Sequence, residues 1–181
     1  TPGRERFPVV ADPADTHLNQ AYLNYQYNQE LALRGGRQRI TLDQDRFIGN
    51  VGWRQNEQTY DGVRLNWKNA EWDFFYAYVA NVNRIFGNDV AAGDHDHNSH
   101  LVHLRWQLDP QQSLTAYTYV LDNNDVSTDS NISYGIRYQG NYSLNDQQQV
   151  QLLLEYALQQ DHADNPQDDN ADYWHGMASY Q

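Results

Sequence analysis

Basic residues are unevenly placed along this 181-residue chain. Seven of its twelve Lys and Arg side chains fall between Leu31 and Lys68: Arg34, Arg37, Arg39, Arg46, Arg54, Arg64 and Lys68. Only Asp43, Asp45, Glu57 and Asp61 oppose them in that stretch. From Ile85 onward, two arginines, Arg105 and Arg137, stand against fourteen acidic residues. A guanidinium presents a rigid fork of donors that matches a carboxylate or a phosphate. Arginines repeated at one phase of successive segments can therefore pass an anion along a path and set ion selectivity. The same arginines can instead brace neighbouring strands by pairing with Glu155, Asp73 or Asp61. Residue types alone leave both readings open.

Other chemistries find less support. There is no Cys, which excludes disulfides and thiol chemistry. A net charge of −12 makes the chain a poor partner for nucleic acid. The run Asp94, His95, Asp96, His97, His100 and nearby His103 offers types that ligate zinc or calcium. It reads as part of a polar loop with no second pair at a fixed spacing, so no metal or other cofactor is expected. The acidic stretch 161–172 lacks an EF-hand pattern. Carboxylates such as Glu57 and Asp61 have no partner placed across a sugar site, and no nucleophile–histidine pair is evident. The chain does not read as an enzyme.

The elements that must carry these residues show period two. In 59–68, Val63, Leu65 and Trp67 alternate with Tyr60, Gly62, Arg64, Asn66 and Lys68. In 101–108, Val102, Leu104, Trp106 and Leu108 alternate with His103, Arg105 and Gln107. In 132–139, Ile132, Tyr134, Ile136 and Tyr138 alternate with Ser133, Gly135, Arg137 and Gln139. Similar strands are predicted over 19–27, 30–38, 113–121, 148–159 and 171–180, with 71–80 apolar on both faces. The count is about nine. Short turns near Asn28, Asn69, Asp109 and Asn145 alternate with long connections at 39–58, 81–100, 122–131 and 160–170. Arg34, Arg64, Arg105 and Arg137 all lie on the polar face.

Strands of this length joined alternately by short turns and long loops match a transmembrane barrel. The mean hydropathy of −0.91 is compatible, because only every second strand residue meets lipid. No stretch approaches the roughly 18 apolar residues of a spanning helix. Residues 1–15, with Pro2, Pro8 and Pro13, show no signal-peptide pattern. Tyr25, Tyr27, Trp67, Trp106, Tyr138 and Tyr156 on the apolar face fit interfacial girdles. A charge on the lipid side near the midplane would cost roughly 2–4 kcal/mol, so the arginines are expected to face a water-filled lumen. The competing class is a soluble antiparallel β-protein that binds carbohydrate through its aromatic face.

The connection 39–58 carries Phe47, Ile48, Val51 and Trp53 among Arg46 and Arg54. It is expected either to fold into a barrel mouth, with Arg46 and Arg54 at a constriction, or to lie on the outer rim. Here the chain resembles a known family. Gly36 to Ile40, Arg46 to Gly49 and Val51 to Asp61 resemble the alginate export porins of the bacterial outer membrane. So do Tyr76 to Gly87, Leu154 to Ala157 with Asp164 to Pro166, and the opening Phe7 to Pro13 with Asn19 to Tyr22. The resemblance covers nearly the whole chain, 1–181, as a single partial barrel domain. It implies about nine up-and-down strands of an eighteen-stranded antiparallel barrel, closed by strands supplied elsewhere in a longer protein. It implies an electropositive pore for an acidic polysaccharide or its oligosaccharides, with Arg37, Arg39, Arg46, Arg54 and Arg84 joining the strand arginines along the path. Outer-membrane lipid and lipopolysaccharide are the implied surroundings.

Overall fold

A computed structural model describes Thr16, residues 18–87 and residues 89–181. The opening stretch 1–15 lies outside the described residues. The strands are β1 (Ala21–Gln26), β2 (Leu31–Gln38), β3 (Thr59–Lys68), β4 (Trp72–Asn83), β5 (Asp94–Asp109), β6 (Gln112–Leu121), β7 (Asn131–Asn145), β8 (Gln148–Asp161) and β9 (Asn170–Tyr180). They form one nine-stranded sheet in sequence order, antiparallel at every pairing. Helical structure among the described residues is limited to three short 3-10 turns, and none of their helices is long and apolar enough to cross a membrane.

The short turns have a common local cause. An Asn or Asp side chain accepts a backbone N–H two residues ahead, which closes the chain on itself. Asn28 Oδ1 accepts from Glu30 N at 2.8 Å, and Asn69 Oδ1 from Glu71 N at 2.9 Å. Asp109 Oδ1 accepts from Gln111 N at 2.8 Å, and Asn145 Oδ1 from Gln147 N at 3.0 Å. All four sit at the same end of the sheet, and the long connections sit at the other.

Pairing extends past the alternating segments. β5 begins at Asp94, where the sequence reading places a loop, and its first residues pair with Asn83, Val82 and Asn81 of β4. Backbone pairing continues there without the apolar–polar alternation that marks the rest of the strand. The His-rich run therefore lies on a strand. His95 bonds Asn123, His97 bonds Ser99 and His100 bonds Tyr76.

Register separates two faces. One row joins Leu33, Leu65, Tyr76, Val102, Thr118, Tyr134 and Leu158. This outer face exposes Leu23, Leu33, Val63, Ile136, Leu154 and Trp174. Toward the short-turn end, Trp72 and Trp106 stack across β4 and β5 with centroids 5.2 Å apart. The neighbouring row on the opposite face joins Arg34, Arg64, Ala77, Leu101, Tyr119, Ser133 and Gln159. This is the inner face. Gly135 belongs to it: a Cβ there would lie 2.0 Å from the ring of Tyr117, its cross-strand partner. The glycine is what lets that ring lie flat against the wall.

Segment 39–58 folds over the inner face. Its Ile40 and Ile48 join a buried cluster with Phe75, Ala77, Val79, Leu101, Tyr117, Tyr119 and Ala157, and Phe47 packs against it. The two-sided apolar character of β4 follows from this: one side faces outward, the other is covered by the segment. An outward position tests the assignment of faces. Ile136→Arg is expected to destabilise the barrel by roughly 2–4 kcal/mol if the outer face meets lipid. Urea titration of the refolded full-length protein in lipid vesicles measures it, and a change within about 0.5 kcal/mol, as at a watery surface, would assign this face to solvent.

Candidate functional site

The tip of segment 39–58 is a small closed structure. Leu42 and Ile48 form an antiparallel bridge, with Leu42 N donating to Ile48 O at 3.0 Å. Between them Asp43, Gln44 and Asp45 all take positive φ, at 50°, 60° and 59°. Left-handed backbone of this kind costs L-residues roughly 1–2 kcal/mol each. It persists only where surrounding contacts compensate.

Those contacts are visible. The Asp43 carboxylate meets three inner-face groups: His103 Nε2 at 2.9 Å, the Tyr119 hydroxyl at 3.0 Å and the Arg137 guanidinium. The Phe47 ring lies 5.6 Å from Tyr117, 6.2 Å from Tyr119 and 5.8 Å from Tyr173. Arg46 stacks over Tyr173 at 4.8 Å. Behind Arg137 stands Glu155, at 3.8 Å from it, which accepts from the Tyr117 hydroxyl at 2.9 Å and lies 3.7 Å from His175. The base of the segment is held by a second carboxylate, Glu57, which receives Arg39, Asn19 and Asn50. Burial alone would raise the Glu57 pKa; these donors outweigh it and the net shift is downward.

An open groove of about 360 Å³ runs beside the tip along the inner face. Arg39, Arg64, Arg105 and Arg137 all line it, together with the carboxylates of Asp43 and Asp73. Four arginines from three strands and one connection thus converge. Arg137 is buried and ion-paired. Arg39 is exposed and held by Glu57, which favours its charged form. Arg105 touches Gln107 at 3.2 Å. Arg64 stands directly across from Arg34, and its buried Nε has no hydrogen-bond partner in the protein. Arg34 bonds Asn24 at 2.6 Å and covers the Tyr22 ring at 3.8 Å.

The remaining arginines lie elsewhere. Arg37 is bound through two 2.8 Å contacts to Asp61, in the row of Ala21 rather than that of Arg34. Arg54 stacks on the exposed Trp53 at 4.0 Å. Arg84 stacks on Phe86 at 5.2 Å and lines a separate small cavity with Phe47, His95 and His97. Of the proposed cross-strand braces, only Arg137 with Glu155 is formed. Asp61 holds Arg37, and Asp73 holds Lys68 at 2.8 Å. Sequence reading did not single out Asp43, Tyr117 or Tyr119 as site residues, nor His103 as the partner of a carboxylate. The available signal was one: Tyr117 and Tyr119 share the phase of the polar Ser113 and Thr115, where aromatics need a cover.

Comparison with known proteins fits this geometry. The model of the alginate export family matches residues 5–181. No curated protein matches the chain by sequence. Among solved structures, OccAB4 of Acinetobacter baumannii superposes with a TM-score of 0.71 at 16% identity, over 88% of this chain and 40% of that one. OpdL of Pseudomonas aeruginosa superposes with a TM-score of 0.68 at 14% identity, over 88% of this chain and 43% of that one. The chain thus spans about two fifths of the barrels it resembles.

Asp43 makes the docking of the tip pH-dependent. Its burial would raise the pKa, but His103 and Arg137 bond and attract the charged form and bring it from 3.8 to about 2. A carboxyl depressed in the docked state adds stability that is fully present above its ordinary value. That stability is lost as pH falls through the docked value. Segment 39–58 is therefore expected to stay docked at neutral and mildly acid pH and to loosen between pH 3.8 and about 2. Pulse hydrogen exchange of the full-length protein reads this; protection of 39–58 that is unchanged across that window would contradict it.

Proposed function

Since this chain belongs to the alginate export family of the bacterial outer membrane, we propose that the whole protein is a porin that passes anionic oligo- or polysaccharides, alginate-like in charge. The observation that carries this reading is the convergence of Arg39, Arg64, Arg105 and Arg137 on one inner-face groove. Cross-strand like charges such as Arg34 and Arg64 repel unless something negative lies near both. A uronate carboxylate drifting past would supply that charge transiently and pay each guanidinium in bidentate hydrogen bonds. Binding at several such points, none of them deep, allows entry without trapping.

In this reading Arg34, Arg64 and Arg105 contact the solute. Arg39 and Arg137 shape the path and, while segment 39–58 is docked, are held by Glu57 and by Asp43 with Glu155. Arg46, Arg54 and Arg84 lie on or beside segment 39–58 and act at the approach to the groove. Arg37 serves the wall through Asp61. The alternative, a soluble sugar-binding β-protein, would have to leave Leu23 at 84% and Trp174 at 74% exposure in water.

Single-channel recording of the full-length protein in a planar bilayer tests this. A reversal potential under a salt gradient is expected to show anion preference, and uronic-acid oligomers are expected to block. Arg64→Gln with Arg105→Gln should move selectivity toward neutrality and weaken the block about tenfold or more, since a hydrogen bond to a charged group is worth roughly 1.5–3 kcal/mol. Cation selectivity would retire the arginine path and keep the channel. Silence from well-folded protein would favour the soluble sugar-binding alternative.

A further inference from the structure

The inner wall holds a ready-made carboxylate receptor that is already filled. Arg137 and Tyr119 point donors at one spot, and His103 Nε2 completes the ring at 2.9 Å. A cationic fork, a hydroxyl and an imidazole around one oxygen pair form the set of groups that would bind a free carboxylate. The occupant is Asp43, delivered by the tip of segment 39–58. Its own backbone is held in an unfavourable left-handed turn to do so.

We propose that Asp43 is an internal stand-in for the carboxylate of the transported solute, and that a passing uronate competes for Arg137, Tyr119 and His103 and lets the tip of segment 39–58 lift from the wall. This rests on the anionic-solute reading above and gives that solute a second effect, on the width of its own path.

Three observations support an exchange at this point rather than a fixed strut. The groove lined by Arg39, Arg64 and Arg105 leads to Asp43 and Arg137, which line it too, so a solute anion reaches the receptor along other arginines. The positive φ angles of Asp43, Gln44 and Asp45 relax toward ordinary backbone once the carboxylate lets go, which lowers the cost of release. The base of the segment is anchored independently, by Glu57 with Arg39 and Asn50 and by the Tyr60 hydroxyl donating to Gly49 O at 2.6 Å. Release of the tip therefore leaves the base in place, as a two-state element requires. The opposing contact is Phe47 among Tyr117, Tyr119 and Tyr173. It holds the tip down and sets how much carboxylate is needed. Glu155 keeps Arg137 oriented in both states.

Asp43→Asn removes the charge, and Asn tolerates left-handed backbone well, so the variant is expected to fold. Glucuronate is the probe, with glucose as the neutral control, on full-length protein in detergent. Two readouts apply: glucuronate affinity by calorimetry and hydrogen exchange over 39–58. In the native protein glucuronate should raise exchange at the tip and glucose should not. Asp43→Asn should exchange fast without ligand and bind glucuronate about tenfold more tightly, because a tethered competitor at millimolar effective concentration is gone. Phe47→Ala leaves the receptor intact and should shift both readouts the same way by less; it decides the matter if Asp43→Asn fails to fold. Equal or weaker binding by these variants, or binding to the native protein with no rise in exchange, overturns the competition. If the variant channel keeps its anion preference at that point, only the competition fails. A native channel without anion preference removes the underlying reading.

Discussion

Everything in this molecule follows from a requirement on the backbone. Inside hydrocarbon each N–H and C=O must find a partner within the protein, because no water is there to take one. A sheet meets that requirement between its strands and leaves it unmet at its edges. Among the described residues, β2 through β8 are paired on both sides, while β1 and β9 each have one neighbour. Nine alternating strands make β1 and β9 run in the same direction. They cannot pair with each other in an antiparallel ladder, and a second copy in the same orientation meets the same obstacle. An odd number of further antiparallel strands resolves it. The match to OccAB4 and OpdL spans about two fifths of each.

The same requirement explains why the faces differ so sharply. Strands that must run through lipid can spare only alternate residues for water. The outer row of Leu33, Leu65, Val102 and Leu158 and the inner row of Arg34, Arg64, Ser133 and Gln159 are neighbours in the register yet opposite in solvent. An inner wall of polar side chains would by itself give segment 39–58 little to bind. Phe75, Ala77, Tyr117 and Tyr119 supply an apolar floor, and Asp43 supplies a charged pin. Together they hold a turn that its own residues disfavour.

Much of the wall is legible in the sequence because lipid imposes period two on it. The four short turns are legible because Asn28, Asn69, Asp109 and Asn145 each close their turn locally. Phase placed Arg34, Arg64, Arg105 and Arg137 on one face, and that is where they lie. The ends of β4, β5 and β7 were not legible, since paired strands outside the lipid need no alternation. Nor was the pairing of charges. Asp61 chose Arg37, and Asp43 reached across 94 positions to Arg137. That contact depends on how a long connection folds back, and no local pattern encodes it. Arg37 illustrates the limit of motif transfer: it sits within a family stretch, yet its guanidinium is spent on a neighbouring strand.

The acidic total of the chain and its basic groove are compatible because charges act locally. Along β5 the carboxylate of Asp94 stands eleven residues from Arg105. At about 3.3 Å per residue that is roughly 36 Å of strand. The screening length at physiological ionic strength is about 8 Å. An anion beside Arg105 therefore experiences Arg64 and Arg137, which line the same groove, and is almost blind to the Asp94 end of the strand. The carboxylates that do reach the groove are Asp43 and Asp73, and each is engaged, by Arg137 with His103 and by Lys68. Net charge therefore says little about the groove. What an ion there meets is set by the charges nearest to it, and Arg64 faces Arg34 across the ladder with its buried Nε lacking a hydrogen-bond partner in the protein.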